Sequence, residues 1–436
     1  MNILFVAALL VADSLAAPDF SHPWTLQECT DWAMEHNLTV ARQELAVGSS
    51  EVSLNSAQWA VAPSVNGSAS QNWSFGRGLG GDNTYESGNT SNTGFSIGAG
   101  MTLFDGLATP RRIEMAKLDL DAALADLDKA REDVRVSVAQ AYMQILYNYE
   151  IRDVAASQIT IDSLQVVRLE GMVAHGKASA AELSQQRASL AQSGLTLVQA
   201  ENNLKTSLLD LAQLLELSDW AGFDVVRPEV TVEDRYIGTP DDIFAVAVGL
   251  RPSVQAEQLR LKSSDKQVQI AKAQFYPTLS LSAGLGSNYY SSYQGLGFVD
   301  QMDRNFSQYV GLSLNIPIFD RFTARNQVRS AKISRQSQAL RLRQTEQALY
   351  KEIQQAWNGA VAARAKYDAS QLAATASQDA FELVKTKYEN GKATVTEFNE
   401  SRTQMLKSRS DAVQATYEYL FQTSLVDFYR SGTLTL

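Results

Sequence analysis

The chain has one cysteine, Cys29, so it has neither an internal disulfide nor a multi-cysteine metal site. Its three histidines, His22, His36 and His175, are never at metal-ligand spacing. It has no nucleophile motif, phosphate-cradling loop or cluster of metal ligands, so paired carboxylates alone are left to suggest a hydrolase. Basic residues are outnumbered: 38 Lys and Arg against 48 Asp and Glu give a net charge of -10 over 436 residues. A phosphate-binding surface needs clustered Lys and Arg, so a nucleic-acid partner is not expected. No stretch reaches the roughly 18 consecutive apolar residues of a transmembrane helix. A membrane would have to be crossed by strands.

The N-terminus carries an apolar run from Ile3 to Val11, then Ser14-Leu15-Ala16-Ala17. The run is too short to span a bilayer and fits a secretory signal over 1–17, although no Lys or Arg precedes it. A buried first strand or helix is the competing reading. Leu26-Gln27-Glu28 before Cys29 is not a lipoprotein-type site, and Cys29 reads as an inert helix residue.

The remainder reads as two copies of one unit, offset by 214–215 positions. A period this long signals duplication rather than a solenoid. Copy one is 18–217: a helix at 25–61, strands at 64–76 and 93–104, and helices at 107–173 and 178–217. Thr25 and Glu28 open it as a capping box, and Pro63 ends the first helix. A connector at 218–238 leads to copy two, 239–430: a helix at 240–275, strands at 278–290 and 308–317, and helices at 322–389 and 393–430. Here Thr239 is the cap with Pro240 behind it, and Pro277 is the stop. The tail is 431–436.

The strands alternate. Val65, Gly67, Ala69, Trp73 and Phe75 face away from Asn66, Ser68, Ser70 and Ser74, and Leu279, Leu281 and Ala283 face away from Ser280 and Ser282. The polar faces are Ser, Asn and Gly with almost no charge. Polar, Gly-rich loops follow at 76–92 and 291–307, with Trp73, Phe75, Tyr85, Tyr289, Tyr290 and Tyr293 near the strand ends. Strands of about ten residues with aromatic girdles fit a membrane barrel. Taken alone, they also fit a soluble two-sided sheet.

Each long helix, about 67 residues, would span roughly 100 Å and must pack along its length. Heptad-spaced positions support this: Leu120, Leu127, Val134 and Ala141; Leu342, Leu349, Ala356 and Ala363; Leu183, Leu190, Leu197, Leu204 and Leu211; and Phe398, Met405, Ala412, Tyr419 and Val426. Four strands cannot close a barrel, and an open edge cannot sit in lipid. A membrane reading therefore requires several chains: two, three or four would give eight, twelve or sixteen strands. The helices would leave the barrel on one side, with the Gly176 and Gly391 turns together at the far end.

In this order of parts the chain resembles the TolC family of outer-membrane efflux proteins over essentially its whole mature length. The residues carrying the resemblance are Trp24-Thr25-Leu26-Gln27-Glu28-Cys29, the strands led by Pro63 and Pro277, the junctions Leu103-Phe104-Asp105-Gly106 and Pro317-Ile318-Phe319-Asp320, and the turns at Gly176 and Gly391. The resemblance implies a membrane α+β fold: a homotrimer with a twelve-stranded barrel in the outer membrane of a Gram-negative cell, continued by a coiled-coil periplasmic tunnel. It implies docking of a periplasmic adaptor at the tip residues Gly176, Lys177, Gly391 and Lys392, and coupling to an inner-membrane transporter. It implies neither catalysis nor a cofactor. Small-molecule efflux is the expected use, with polypeptide secretion through the same duct as an alternative. A soluble periplasmic coiled-coil scaffold is the alternative of another class.

The resemblance also assigns roles at the tips. Glu397 and Glu400, three apart on a helix, match the acidic rings that narrow the tunnel entrance and favour cations. Tyr388 and Glu182 match members of a polar latch. Its basic member falls on Ala393, with Lys392 beside it as the nearest replacement; one step along a helix turns a side chain by about 100°.

Overall fold

The two copies open alike. Thr25 Oγ1 accepts from Glu28 N while Thr25 N donates to Glu28 Oε2, which starts α1, Leu26–His36. Thr239 Oγ1 accepts from Asp242 N and starts α5, Pro240–Leu250. The structure, a computed structural model, describes residues 20–79, 84–228, 232, 237–292 and 295–433. The expected signal segment 1–17, Tyr293, positions 434–436 of the tail, and 229–231 and 233–236 of the connector lie outside the described residues.

The single helices expected at 25–61 and 240–275 are each broken in two. α1 ends at Asn37 and α2 is Leu38–Trp59. α5 ends at Arg251 and α6 is Pro252–Ala273. Asn37 and Arg251 are both extended, with ψ of 127° and 124°. At Arg251 the cause is local, because Pro252 disfavours helical backbone in the residue before it. At Asn37 the side chain substitutes for helix continuation: Oδ1 accepts from Thr39 N at 2.8 Å, and Nδ2 donates to Leu214 O at 2.9 Å.

The strands are β1 Ser64–Leu79, β2 Tyr85–Phe104, β3 Thr278–Tyr290 and β4 Ser307–Asn315. Most of the loop expected at 76–92 is therefore strand, with Leu79 paired to Tyr85. Gly, Ser, Asn and Thr dominate there, so no apolar alternation marked it. The loop at 291–307 holds a short helix, α7 Phe298–Arg304, whose Gln301 side chain bonds the backbone N and O of Tyr290. The long helices are α3 Ala108–Ala174 and α8 Thr323–Glu389, followed by α4 Ala180–Leu214 and α9 Val395–Ser431. α3 and α8 start on equivalent aspartates: Asp105 accepts from Thr109 N at 2.8 Å, and Asp320 from Ala324 N at 2.6 Å.

The compact units are not the two copies. One takes residues up to Glu44, Asp126–Val254 and those from Glu346 on; the other takes Leu45–Ala125 and Gln255–Thr345. Each draws on both copies, because the copies lie alongside one another rather than folding separately.

In the second unit, the described strands form one antiparallel sheet in the order β1-β2-β3-β4. The register puts Val65, Ala99, Ala283 and Val310 in one row, and Met101, Leu281 and Leu312 in the next. This apolar face is uncovered: Val310 and Leu312 are 79% and 68% exposed. The opposite face carries Ser68 against Ser96, Oγ to Oγ 2.7 Å, and Tyr309 lies over Gly284, where a Cβ would come within 2.7 Å of its ring. Exposed aromatics flank the sheet: Trp73 and Phe75 in the outer half of β1 with Tyr85 at the start of β2, and Trp59, Phe275, Tyr276, Phe319 and Phe322 next to the opposite strand ends. The helices continue the strand order. Asp119 and Glu114 of α3 meet Ser263 and Lys266 of α6, and Asp265 and Glu257 of α6 meet Arg335 and Gln338 of α8.

In the first unit, Phe398, Met405, Ala412, Tyr419 and Val426 of α9 are all buried at seven-residue spacing. In α4 the seam differs from the expected leucine row. Gln186, Ser193, Ala200 and Ser207 are buried, with Leu204 and Leu211, whereas Leu183, Leu190 and Leu197 are half-buried. Cys29 is fully buried, and burial pushes its thiol up to about 12, so it is a poor nucleophile.

Candidate gate at the helical hairpin turns

α3 and α8 end in the same turn. Lys177 N donates to Met172 O at 2.8 Å and Gly176 N to Val173 O at 3.0 Å; Lys392 N donates to Lys387 O at 2.8 Å and Gly391 N to Tyr388 O at 3.0 Å. This pair of bonds needs a left-handed residue, supplied by Gly176 and Gly391 at φ 69° and 72°. The return helices also start alike. Ser179 caps α4 with Glu182, and Thr394 caps α9 with Glu397, each as a reciprocal capping box.

That construction assigns Glu182 and Glu397 to their own helix starts. Glu397 Oε2 accepts from Thr394 N at 2.7 Å and from Thr394 Oγ1 at 3.1 Å. The Thr394 amide, then its hydroxyl, hold the Glu397 carboxyl below its usual value. Glu400, one turn further on, is exposed and makes no hydrogen bond or ion pair among the described residues. The expected acidic face is therefore one committed carboxylate and one free one.

Tyr388, Lys392 and Glu182 are not joined by hydrogen bonds among the described residues. Tyr388 stacks on Phe398, with ring centroids 4.9 Å apart, and Phe381 and Met405 complete an apolar cluster beside it. Burial raises the Tyr388 hydroxyl above its usual range, and Arg168 opposes this. Lys392 is exposed at the turn, as is Lys177.

The basic partner at this place comes from α3. Arg168 lies over the Tyr388 ring at 5.5 Å, donates to Glu389 O at 3.1 Å and pairs with the Glu389 carboxylate at 3.8 Å. It thus ties the copy-one hairpin to the end of α8. It is not announced by the turn residues, because it lies on the preceding helix and reaches its partners across to α8. An arginine two turns before the end of α3 was the available signal.

Among the described residues no group of three or more His, Cys, Asp or Glu is placed to hold a metal ion, and no helix is long and apolar enough to cross a membrane.

The outer membrane efflux protein family model matches residues 32–216 and 246–426, a stretch of each copy. The chain belongs to the outer membrane efflux protein family. Among curated relatives it is 28% identical to Protein CyaE of Bordetella pertussis over 282 residues, 62% of this chain and 56% of that one. It is 21% identical to Outer membrane efflux protein BepC of Brucella suis over 418 residues, 95% of this chain and 87% of that one. Alignments with the first relatives span little more than half of their length, 56% and 52% for the first two. In fold the chain is similar to the outer membrane protein VceC of Vibrio cholerae, with TM-score 0.76 and 20% identity over 93% of this chain and 95% of that one. The Campylobacter jejuni CmeC outer membrane channel gives 0.78 and 19%, over 93% and 85%. As a family member the chain is an outer-membrane protein with a long periplasmic extension.

Proposed function

We propose that the chain is the exit duct of a tripartite efflux system, working as a homotrimer. The observation that carries this is the four-stranded sheet of β1 to β4, apolar on one face and polar on the other, with β1 and β4 left as free edges. Unpaired edges are not tolerated in lipid, so β1 of one copy must pair with β4 of the next. The helices present matching flanks: Leu45, Val52 and Trp59 of α2 and Ile333 and Leu340 of α8 are exposed at heptad spacing. Three copies give a barrel of twelve strands whose polar face lines the bore.

The energy comes from an inner-membrane transporter, linked through a periplasmic adaptor that grips the turns at Gly176, Lys177, Gly391 and Lys392. The chain has no catalytic role. Small molecules are the favoured cargo; a relative is named for fusaric acid resistance and another for pyoverdine export. The turns close the entrance, Arg168 serving as the basic latch member in place of Lys392. Glu400, with Glu397 above it, forms the cation-binding ring.

The test is deletion of the gene with fractionation of the complemented strain. A heat-modifiable trimer in the outer membrane and restored resistance to small toxic compounds are expected. A protein recovered only as soluble periplasmic chains would refute the assignment.

A further inference from the structure

The most buried charge among the described residues of the first unit is Asp162 of α3, which is fully buried. Arg402 of α9, only 6% exposed, forms an ion pair with it. Three more side chains meet the same carboxylate. Gln158 Nε2 donates to Oδ2 at 2.9 Å, Gln186 Nε2 donates to Oδ1 at 3.3 Å, and Ser193 Oγ donates to Oδ2. One polar layer thus joins α3, α4 and α9, linking the hairpin of copy one to the return helix of copy two.

This layer is poorly built for stability. Arg402 Nε, Gln158 Oε1, Gln165 Oε1 and Asn399 Oδ1 are buried without hydrogen-bond partners. Buried ion pairs are often no more stable than apolar replacements, and orphaned polar atoms add cost. A polar layer in a helical seam is better attested as a device that fixes register. Above and below it, Phe398 and Met405 provide only apolar contacts, which tolerate sliding and rotation.

Register matters here because of what lies across the helix. Relative to Arg402, Glu397 and Glu400 stand about 140° and 200° around α9. With Arg402 held on the α3 side, both carboxylates are forced to the opposite, exposed face. The Glu400 side chain makes no hydrogen bond or ion pair of its own among the described residues. We propose that Asp162 and Arg402 are positioning residues for the cation ring: their buried pair fixes the rotation and height of α9 so that Glu400 faces the bore.

This rests on the reading of Glu400 as a ring carboxylate, and the experiment separates the two. Purified trimer is reconstituted in planar bilayers and blocked with Mg2+. Asp162→Asn combined with Arg402→Met leaves no buried charge, so the trimer is expected to assemble with its thermal stability retained. Half-block should nevertheless require about tenfold more Mg2+, whereas Arg402→Lys, which keeps the pair, should block near the unmodified concentration. A stable double variant that blocks like the unmodified channel would overturn the positioning role. Glu400→Gln alone should weaken block with the pair intact. If it does not, the ring reading fails, whatever the pair variants show.

Discussion

Asn37 and Arg251, 214 residues apart, do the same structural work. Each sits at a break between two helices and donates to the carboxyl end of the last helix in its own copy. Asn37 Nδ2 reaches Leu214 O, and Arg251 Nη2 reaches Phe428 O. The acceptors are also 214 residues apart, so the duplication preserved the contact while changing its chemistry. In copy two the donor is a buried guanidinium, stacked on Phe428 at 4.3 Å and paired with Glu132 at 3.1 Å.

Arg251→Met should therefore be costly. It leaves Glu132, already raised above its usual range by burial, without its cation. Loss of one member of a buried pair costs about 3–5 kcal/mol. Adding Glu132→Gln should return part of that. Asn37→Ala removes two neutral bonds, the one to Leu214 O and the one from Thr39 N, and should cost about 2 kcal/mol. Denaturant melts of the purified variants, scored by the midpoint, would rank the three.

The lipid-facing reading of the sheet predicts an asymmetry between neighbouring residues. Leu312→Arg puts charge on the apolar face and should destabilise the inserted barrel by about 2–4 kcal/mol. Ser313→Arg points to the opposite face and should assemble normally. Heat-modifiability on gels of outer-membrane fractions reads both; equal tolerance would contradict the assignment of faces.

At the tips, Glu397 is held below its usual value by Thr394. Its folded pKa is depressed, so the stabilisation is present above the unfolded value and is lost as pH falls through the folded one. Protection of the first amides of α9, measured by hydrogen exchange corrected for the intrinsic pH dependence, should therefore drop on acidification. Thr394→Ala should reduce that protection already at neutral pH and flatten the pH response.

If Arg168 is the proposed latch residue, Arg168→Ala should loosen the entrance. It removes the bond to Glu389 O and the contact over Tyr388 while leaving the apolar cluster of Phe381, Phe398 and Met405 in place. A higher resting conductance with unchanged trimer stability is expected. Lys392→Ala, which removes no side-chain hydrogen bond or ion pair among the described residues, should have a smaller effect.

The architecture was legible in the sequence where a residue type is tied to a backbone requirement. Gly176 and Gly391 stand at left-handed turns, Thr25 and Thr239 at helix starts, and Pro63 and Pro277 before strands, at offsets of 214 or 215. The break at Arg251 was equally legible through Pro252; the helical periodicity on either side hid it. The outer half of the β1–β2 hairpin was not legible, because Gly, Ser and Asn carry no apolar contrast between faces. The seam of α4 misled because leucines advertise burial. Its buried row instead starts with Gln186 and Ser193, which belong to the layer around Asp162. Arg168 and Arg402 act through partners on distant helices, and no local spacing announces such partners.

Single-channel recording of the purified protein in planar bilayers bears most directly on the proposed duct. Discrete insertions of one unit conductance, preference for cations and Mg2+ block weakened by Glu400→Gln are the predicted result. A protein that inserts without conducting, or whose conductance is unselective and indifferent to Mg2+, would contradict it.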